Sequence, residues 1–175
     1  MQMNNQQPIN LILVDQFDNF QGFAEKIKAH KNNLCHRAFS IILTNPEKTK
    51  IFLQQRQLSK YHCPGLWSNA CCSHAVPNEE LLNTANTRLT FELNITTKLT
   101  HVGSVYYQAR LNNNMFEHEY DHIFHGIYLE KTCDFNINEV CACKWVDIKD
   151  LMLSIQKKPA EYTPWLPLIL KEFLK

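Results

Sequence analysis

The run Ser68-Asn69-Ala70-Cys71-Cys72-Ser73-His74 places a thiol two residues from an imidazole. In an extended segment side chains alternate between faces, so Cys72 and His74 point one way while Cys71 and Ser73 point the other. A soft nucleophile and a metal-capable nitrogen then share one surface, which is raw material for acid/base or metal chemistry. The same seven residues also suit a buried strand of small polarizable side chains. The rest of the chain has to decide between the two readings.

Further ligand types stand on separate stretches: His30, His36 and His74, with Glu117 and Glu119. Mixed nitrogen and oxygen donors in that number suggest an octahedral ion such as Mn²⁺ or Mg²⁺, with Zn²⁺ as the alternative. Glu117, Glu119 and Asp121 fall on one face of a period-two segment at 115–124, and His118, Tyr120 and His122 on the other. A solvated edge strand would carry the same pattern. The cations Lys26, Arg56, Lys60 and Arg88 are scattered, but Arg56 ends a strand, Lys60 opens the loop into the Cys-Cys-Ser-His strand, and Arg88 sits on the helix after it. Several cations around one cavity is what a diphosphate needs. Arg88 and Glu92 lie one helical turn apart, and in isolation that pair reads as an intrahelical salt bridge of slight value.

The elements that must position these residues follow from periodicity and turn chemistry. Residues 9–14 read as a buried strand closed by the turn-rich 15–19, and 20–27 lead to Lys26 and His30. Residues 36–43 favour a strand and pair as a hairpin with 51–56 across the Asn45-Pro46-Glu47-Lys48 turn. Pro64-Gly65 makes 57–67 a loop. From Asn78, a good N-cap, Leu81, Leu82, Ala85, Leu89 and Leu93 recur at helical spacing. Strands follow at 102–110, 126–129 and 141–146, with a turn at 112–114 and a helix over 147–156. Thr163-Pro164 starts a last helix over 165–174, threonine as N-cap and proline in the first turn. Strands with helices segregated among them predict an α+β sandwich.

The 175 residues, 45% hydrophobic and 20% charged, suit a single domain spanning 1–175 with 1–8 frayed. A formal net charge of +1 argues against nucleic acid or an anionic membrane as partner. Seven cysteines, an odd number with adjacent and alternate pairs, make no disulfide framework and read as free thiols of a reducing cytosol. Cys141-Ala142-Cys143 reads as packing on a strand rather than as a redox pair. Residues 1–10 carry no basic n-region or apolar h-region, and the expectation is a cytoplasmic monomer.

In combination, His36-Arg37-Ala38-Phe39-Ser40, Gln54-Gln55-Arg56, the 68–74 run, Arg88 to Glu92-Leu93, Tyr107, Glu117-His118-Glu119 and Tyr162-Thr163-Pro164-Trp165 resemble the type 1 isopentenyl-diphosphate isomerases in order and approximate spacing. The resemblance runs from about Ile9 to the C-terminus. It implies a Nudix-like sandwich of mixed β-sheets flanked by α-helices, and a small-molecule prenyl diphosphate substrate. It further implies that His30, His36, His74, Glu117 and Glu119 bind one Mn²⁺ or Mg²⁺, that Cys72 is a catalytic thiol, and that Glu119 with Tyr107 is the opposing acid/base. A second Mg²⁺ would be held by Glu92 and the Cys72 carbonyl against a diphosphate contacted by Lys26, Arg56, Lys60 and Arg88. Trp165 would face the hydrocarbon. Asn94 stands where such enzymes often have Gly, Ala75 where many have Pro, and Ser68 where many have Thr; none of these is an acid, base or ligand.

Two rivals remain at this level. Nudix pyrophosphohydrolases resemble Arg-Glu-x-x-Glu-Glu in the helix, where this chain has Arg88-Leu89-Thr90-Phe91-Glu92-Leu93, leaving one carboxylate for a hydrolytic metal cluster. A non-enzymatic zinc-binding module would keep its metal and its behaviour in a Cys72→Ser variant.

Overall fold

The computed structural model describes residues 10–60, 62–111 and 114–175; the expected fraying of 1–8 and most of the 112–114 turn lie outside them. Strands β1 (Asn10–Val14) and β2 (Phe20–Glu25) form a hairpin. Its turn is closed by Asp15, whose Oδ1 accepts the N–H groups of Phe17 and Asn19, each at 2.9 Å. Glu25 then caps helix α1 (Lys26–Lys31) by accepting from the N–H groups of Ile27 and Lys28. Lys26 and His30, four residues apart, rise from the same side of α1.

Strand β3 (His36–Thr44) is the centre of the sheet. Strand β4 (Lys50–Arg56) follows it, then β5 (Trp67–Ser68), β6 (Cys71–His74), helix α2 (Leu81–Leu93), β7 (Thr100–Arg110), β8 (Phe116–Ile127) and β9 (Val140–Asp147). One edge of β3 runs parallel to β8 for its whole length, His36 opposite Glu119 and Thr44 opposite Ile127. The other edge is shared antiparallel by β1 at His36, by β6 at 38–41 and by β4 at Leu43 and Thr44. The expected hairpin between 36–43 and 51–56 is therefore only two pairs long. Beyond them β4 leaves β3 and pairs with β5 on one side and β9 on the other. Strand β7 pairs antiparallel with β8. The segment at 115–124 is consequently flanked on both sides, and its alternation marks a strand inside the sheet rather than a solvated edge.

The period of two on β3 feeds two cores. Phe39, Ile41 and Leu43 pack with Leu89 and Leu93 of α2, all fully buried. Ile42, on the other face, packs with Leu151 of helix α3 (Ile148–Lys157) and with Leu166, Ile169 and Leu170 of helix α4 (Leu166–Phe173). The helices thus flank a mixed sheet on both sides, the α+β sandwich expected. His36 and Ser40 share the parity of Ile42 and so lie on the same face of β3.

Two helix starts differ from expectation. Asn78 sits at φ 66°, a left-handed turn residue, and α2 begins later with Glu80 at its N-cap. Helix α4 begins at Leu166, because the Thr163 hydroxyl donates to Ser68 Oγ at 3.2 Å and its N–H to the Trp67 carbonyl at 3.0 Å. Thr163 thereby ties the α4 approach to β5 and leaves no side-chain cap. Asn94 ends α2 in the left-handed region at φ 52°, as its residue type allows. Gly65 at φ 72° turns the loop into β5, a conformation that costs glycine little. All seven cysteines are free, and no helix among the described residues is long and apolar enough to cross a membrane.

Candidate active site

Strand alternation separates the two adjacent thiols. Cys71 enters the α2 core, while Cys72 and His74 line a cavity of about 460 Å³ on the α4 side. Cys72 stands opposite Ser40 in the β3–β6 pairing. Between β5 and β6, the Asn69 amide nitrogen donates to the carbonyls of Ile41 (3.1 Å) and Cys71 (2.9 Å). That fixes the amide's orientation, and its Oδ1 accepts the Cys72 S–H at 2.9 Å. Ser40 Oγ lies 3.5 Å from the same sulfur and 2.7 Å from Asp121 Oδ2. Burial pushes the Cys72 thiol up to about 12, so the sulfur carries its proton at neutral pH.

The opposing group is Glu119. The β7–β8 register sets Tyr107 opposite it, and the phenol donates to Glu119 Oε2 at 2.5 Å. Burial, then the nearby Glu119 charge, holds the Tyr107 phenol well above its usual range, so it remains a donor. Glu119 Oε1 lies 3.5 Å from His36 Nε2 and 3.4 Å from His74 Nε2.

Ligand atoms of His30, His36, His74 and Glu117 all lie within 4.8 Å of one another. His30 Nδ1 is 2.7 Å from the Lys26 carbonyl and His36 Nδ1 is 2.9 Å from the Leu34 carbonyl. A carbonyl only accepts, so each Nδ1 bears a hydrogen, which leaves Nε2 as the nitrogen able to reach a metal. His30 Nε2, His36 Nε2 and Glu117 Oε2 are buried with no hydrogen-bond partner, although His30 Nε2 and Glu117 Oε2 are 3.4 Å apart. Burying such groups unsatisfied costs roughly 1–3 kcal/mol each; a divalent cation among them would satisfy all three. Burial brings His74 down to about 3, leaving it neutral as a ligand must be. The donor set fits a divalent metal ion, and carbonyl-held Nδ1–H groups are the outer contacts that orient metal-binding imidazoles. EDTA is accordingly expected to lower Tm by about 5–11 °C, since an ion at 100 times its Kd adds ~2.7 kcal/mol and each kcal/mol is worth ~2–4 °C at this size. Calorimetry with and without added Mn²⁺ checks this.

Lys26, Arg56, Lys60, Arg88 and Trp165 line the same cavity as Cys72, Tyr107 and Glu119. Arg88 pairs with Glu92, which is 2% exposed and also accepts from Gln54 Nε2 at 3.0 Å. The Arg56 guanidinium donates twice to the His62 carbonyl, at 3.2 and 3.0 Å, and stands 5.5 Å from the centre of the Trp165 ring. The Trp165 indole N–H donates to Ser68 Oγ at 3.1 Å, which fixes the ring. His30 and His36 lie behind the cavity wall, fully buried.

Two residues of the site carry no signal in the sequence. Glu139 pairs with Lys60 and lies 3.6 Å from Arg88; it belongs to an aperiodic polar stretch before β9. His62, 5% exposed, approaches Glu117 Oε1 with Nδ1 at 2.9 Å; it stands in the 57–67 loop, one histidine among eight. On α2, Leu89 and Leu93 are fully buried in the apolar core. Carboxylates at those positions would be buried without partners, so the helix offers Glu92 alone and no hydrolytic cluster.

Residues 35–167 match the NUDIX domain family. The chain is 40% identical to isopentenyl-diphosphate Delta-isomerase 2 of Aromatoleum aromaticum, over 89% of its own length and 82% of the relative's. It is 40% identical to isopentenyl-diphosphate Delta-isomerase of Burkholderia multivorans, over 89% and 87%. Among solved structures it is similar to DR0079 of Deinococcus radiodurans, with TM-score 0.75, 15% identity and coverage of 94% and 99%. It is also similar to a MutT protein of Methanosarcina mazei, with TM-score 0.64, 14% identity and coverage of 79% and 92%. The last two likenesses concern the fold.

Proposed function

The chain belongs to the isopentenyl-diphosphate Delta-isomerases, on a NUDIX domain, and from that premise we propose how its cavity does the chemistry. The enzyme interconverts isopentenyl and dimethylallyl diphosphate. The observation that carries the reading is the joint lining of one cavity by a protonated thiol, a carboxylate–phenol pair, four cations and an indole. Moving the double bond by one carbon means adding a proton to the terminal methylene and removing one from the carbon nearer the diphosphate, through a tertiary carbocation. Cys72 and Glu119, on separate strands, divide that work as acid and base. Asn69 and Ser40 hold the sulfur, and Tyr107 holds the carboxyl. The Trp165 ring offers the cationic carbon an electron-rich surface that cannot add to it, worth roughly 2 kcal/mol when desolvated.

His30, His36, His74, Glu117 and Glu119 would hold a divalent ion, whose charge would order the Glu119 carboxyl and make it more acidic when protonated. Glu92 and the Cys72 carbonyl are the groups we assign to a Mg²⁺ ion, which would offset the diphosphate charge; Glu92 is buried and held by the Gln54 amide. Lys26, Arg56, Lys60 and Arg88 bind the diphosphate oxygens. Glu139 competes with them for Lys60 and Arg88. Glu139→Gln is therefore expected to tighten inhibition by inorganic pyrophosphate roughly two- to fivefold, the size of a partly exposed ion pair; weaker inhibition would make Glu139 a support for the cations instead.

Phosphorus NMR of isopentenyl diphosphate with the protein and Mg²⁺ tests the function. An intact diphosphate as dimethylallyl diphosphate appears is the expected result; release of orthophosphate would favour the hydrolase.

A further inference from the structure

We propose that His62 is a positioning residue that presents Glu117 to the metal ion, an inference resting on the metal centre described above. Glu117 is 4% exposed and has two carboxylate oxygens to place. His62 Nδ1 approaches one of them, Oε1, at 2.9 Å. The other, Oε2, is left without a hydrogen-bond partner, 3.4 Å from the equally unpartnered Nε2 of His30. A bond at Oε1 stops rotation of the carboxylate and hands a single oxygen to the cluster. The His62 ring packs against that of His30, centroids 4.5 Å apart, so the donor is itself held in place.

His62 also reaches the anion side of the cavity, because its main-chain carbonyl takes both bonds from Arg56. The loop that carries it thus ties the ligand Glu117 to a diphosphate-binding cation. Contacts of this outer kind typically change metal affinity by about 10–100-fold when removed.

The test is equilibrium binding of Mn²⁺ to the full-length, metal-free protein, read from the paramagnetic resonance of free Mn²⁺. His62→Phe keeps a ring of similar size and removes the N–H, whereas His62→Asn loses the ring and keeps an N–H close to where Nδ1 stood. The expected result is about a 10–100-fold weaker Kd for His62→Phe, with His62→Asn recovering most of the loss. Calorimetry of each metal-free variant shows whether it is folded, and His62→Leu serves as a second donor-free variant should His62→Phe not be. Unchanged affinity in the donor-free variants, or an equal loss in His62→Asn, would overturn the proposal while leaving the metal centre standing. Absence of Mn²⁺ binding by the unaltered protein would instead overturn the metal centre and this role with it.

Discussion

Cys72→Ala is expected to lower kcat for isomerisation by about 10²–10⁴-fold, the range for loss of a positioned proton carrier. Mn²⁺ affinity should stay as it was, because the sulfur contacts Asn69 and Ser40 and its side chain is no member of the His/Glu cluster. KM should move little, since the four cations proposed to take the diphosphate stand elsewhere on the cavity wall. Cys72→Ser should remain impaired: a hydroxyl is a weaker acid than a thiol. Steady-state kinetics beside Mn²⁺ binding would separate these effects. A kcat within threefold of the unaltered enzyme would reduce Cys72 to packing and move its acid/base role to another residue.

Glu119→Gln should cost at least as much, and differently. The amide keeps the shape and can still accept from Tyr107, but it cannot take up or release the proton and is a poorer ligand than a carboxylate. We expect kcat to fall by about 10⁴-fold and Mn²⁺ affinity to fall with it, because Glu119 Oε1 faces both His36 and His74. The contrast with Cys72 is the informative part: one variant loses turnover alone, the other loses turnover and metal together. Binding measured at saturating Mn²⁺, followed by kinetics at that concentration, distinguishes lost metal from lost proton transfer. Full turnover in metal-loaded Glu119→Gln would move the acid/base role to another residue.

Much of the site could be read in advance because its spacing is local. Cys72 with His74, and Glu117 with Glu119, follow from strand alternation, which needs only the knowledge that these stretches are extended. Arg88 and Glu92 follow from the helical turn in the same way. That the three histidines and two glutamates meet was implied by resemblance, not by their spacing, since they come from α1, β3, β6 and β8. What failed depended on competition between distant partners. The hairpin between β3 and β4 shrank to two pairs because β6 and β1 claim the rest of that β3 edge. Thr163 gave up its capping role because Ser68, far away in sequence, accepts its hydroxyl. His62 and Glu139 carry no pattern in the sequence because loops have no period, and only folding brings one to Glu117 and the other to Lys60.

In the roles proposed for Cys72 and Glu119, protein groups add one proton to the substrate and remove another. The most direct test is proton NMR of isopentenyl diphosphate incubated with the enzyme and Mg²⁺ in D₂O. The expected product is dimethylallyl diphosphate with deuterium in a methyl group, lost in Cys72→Ala. Product formed at the full rate without solvent deuterium would mean that hydrogen moves within the substrate, and would contradict the roles assigned to Cys72 and Glu119.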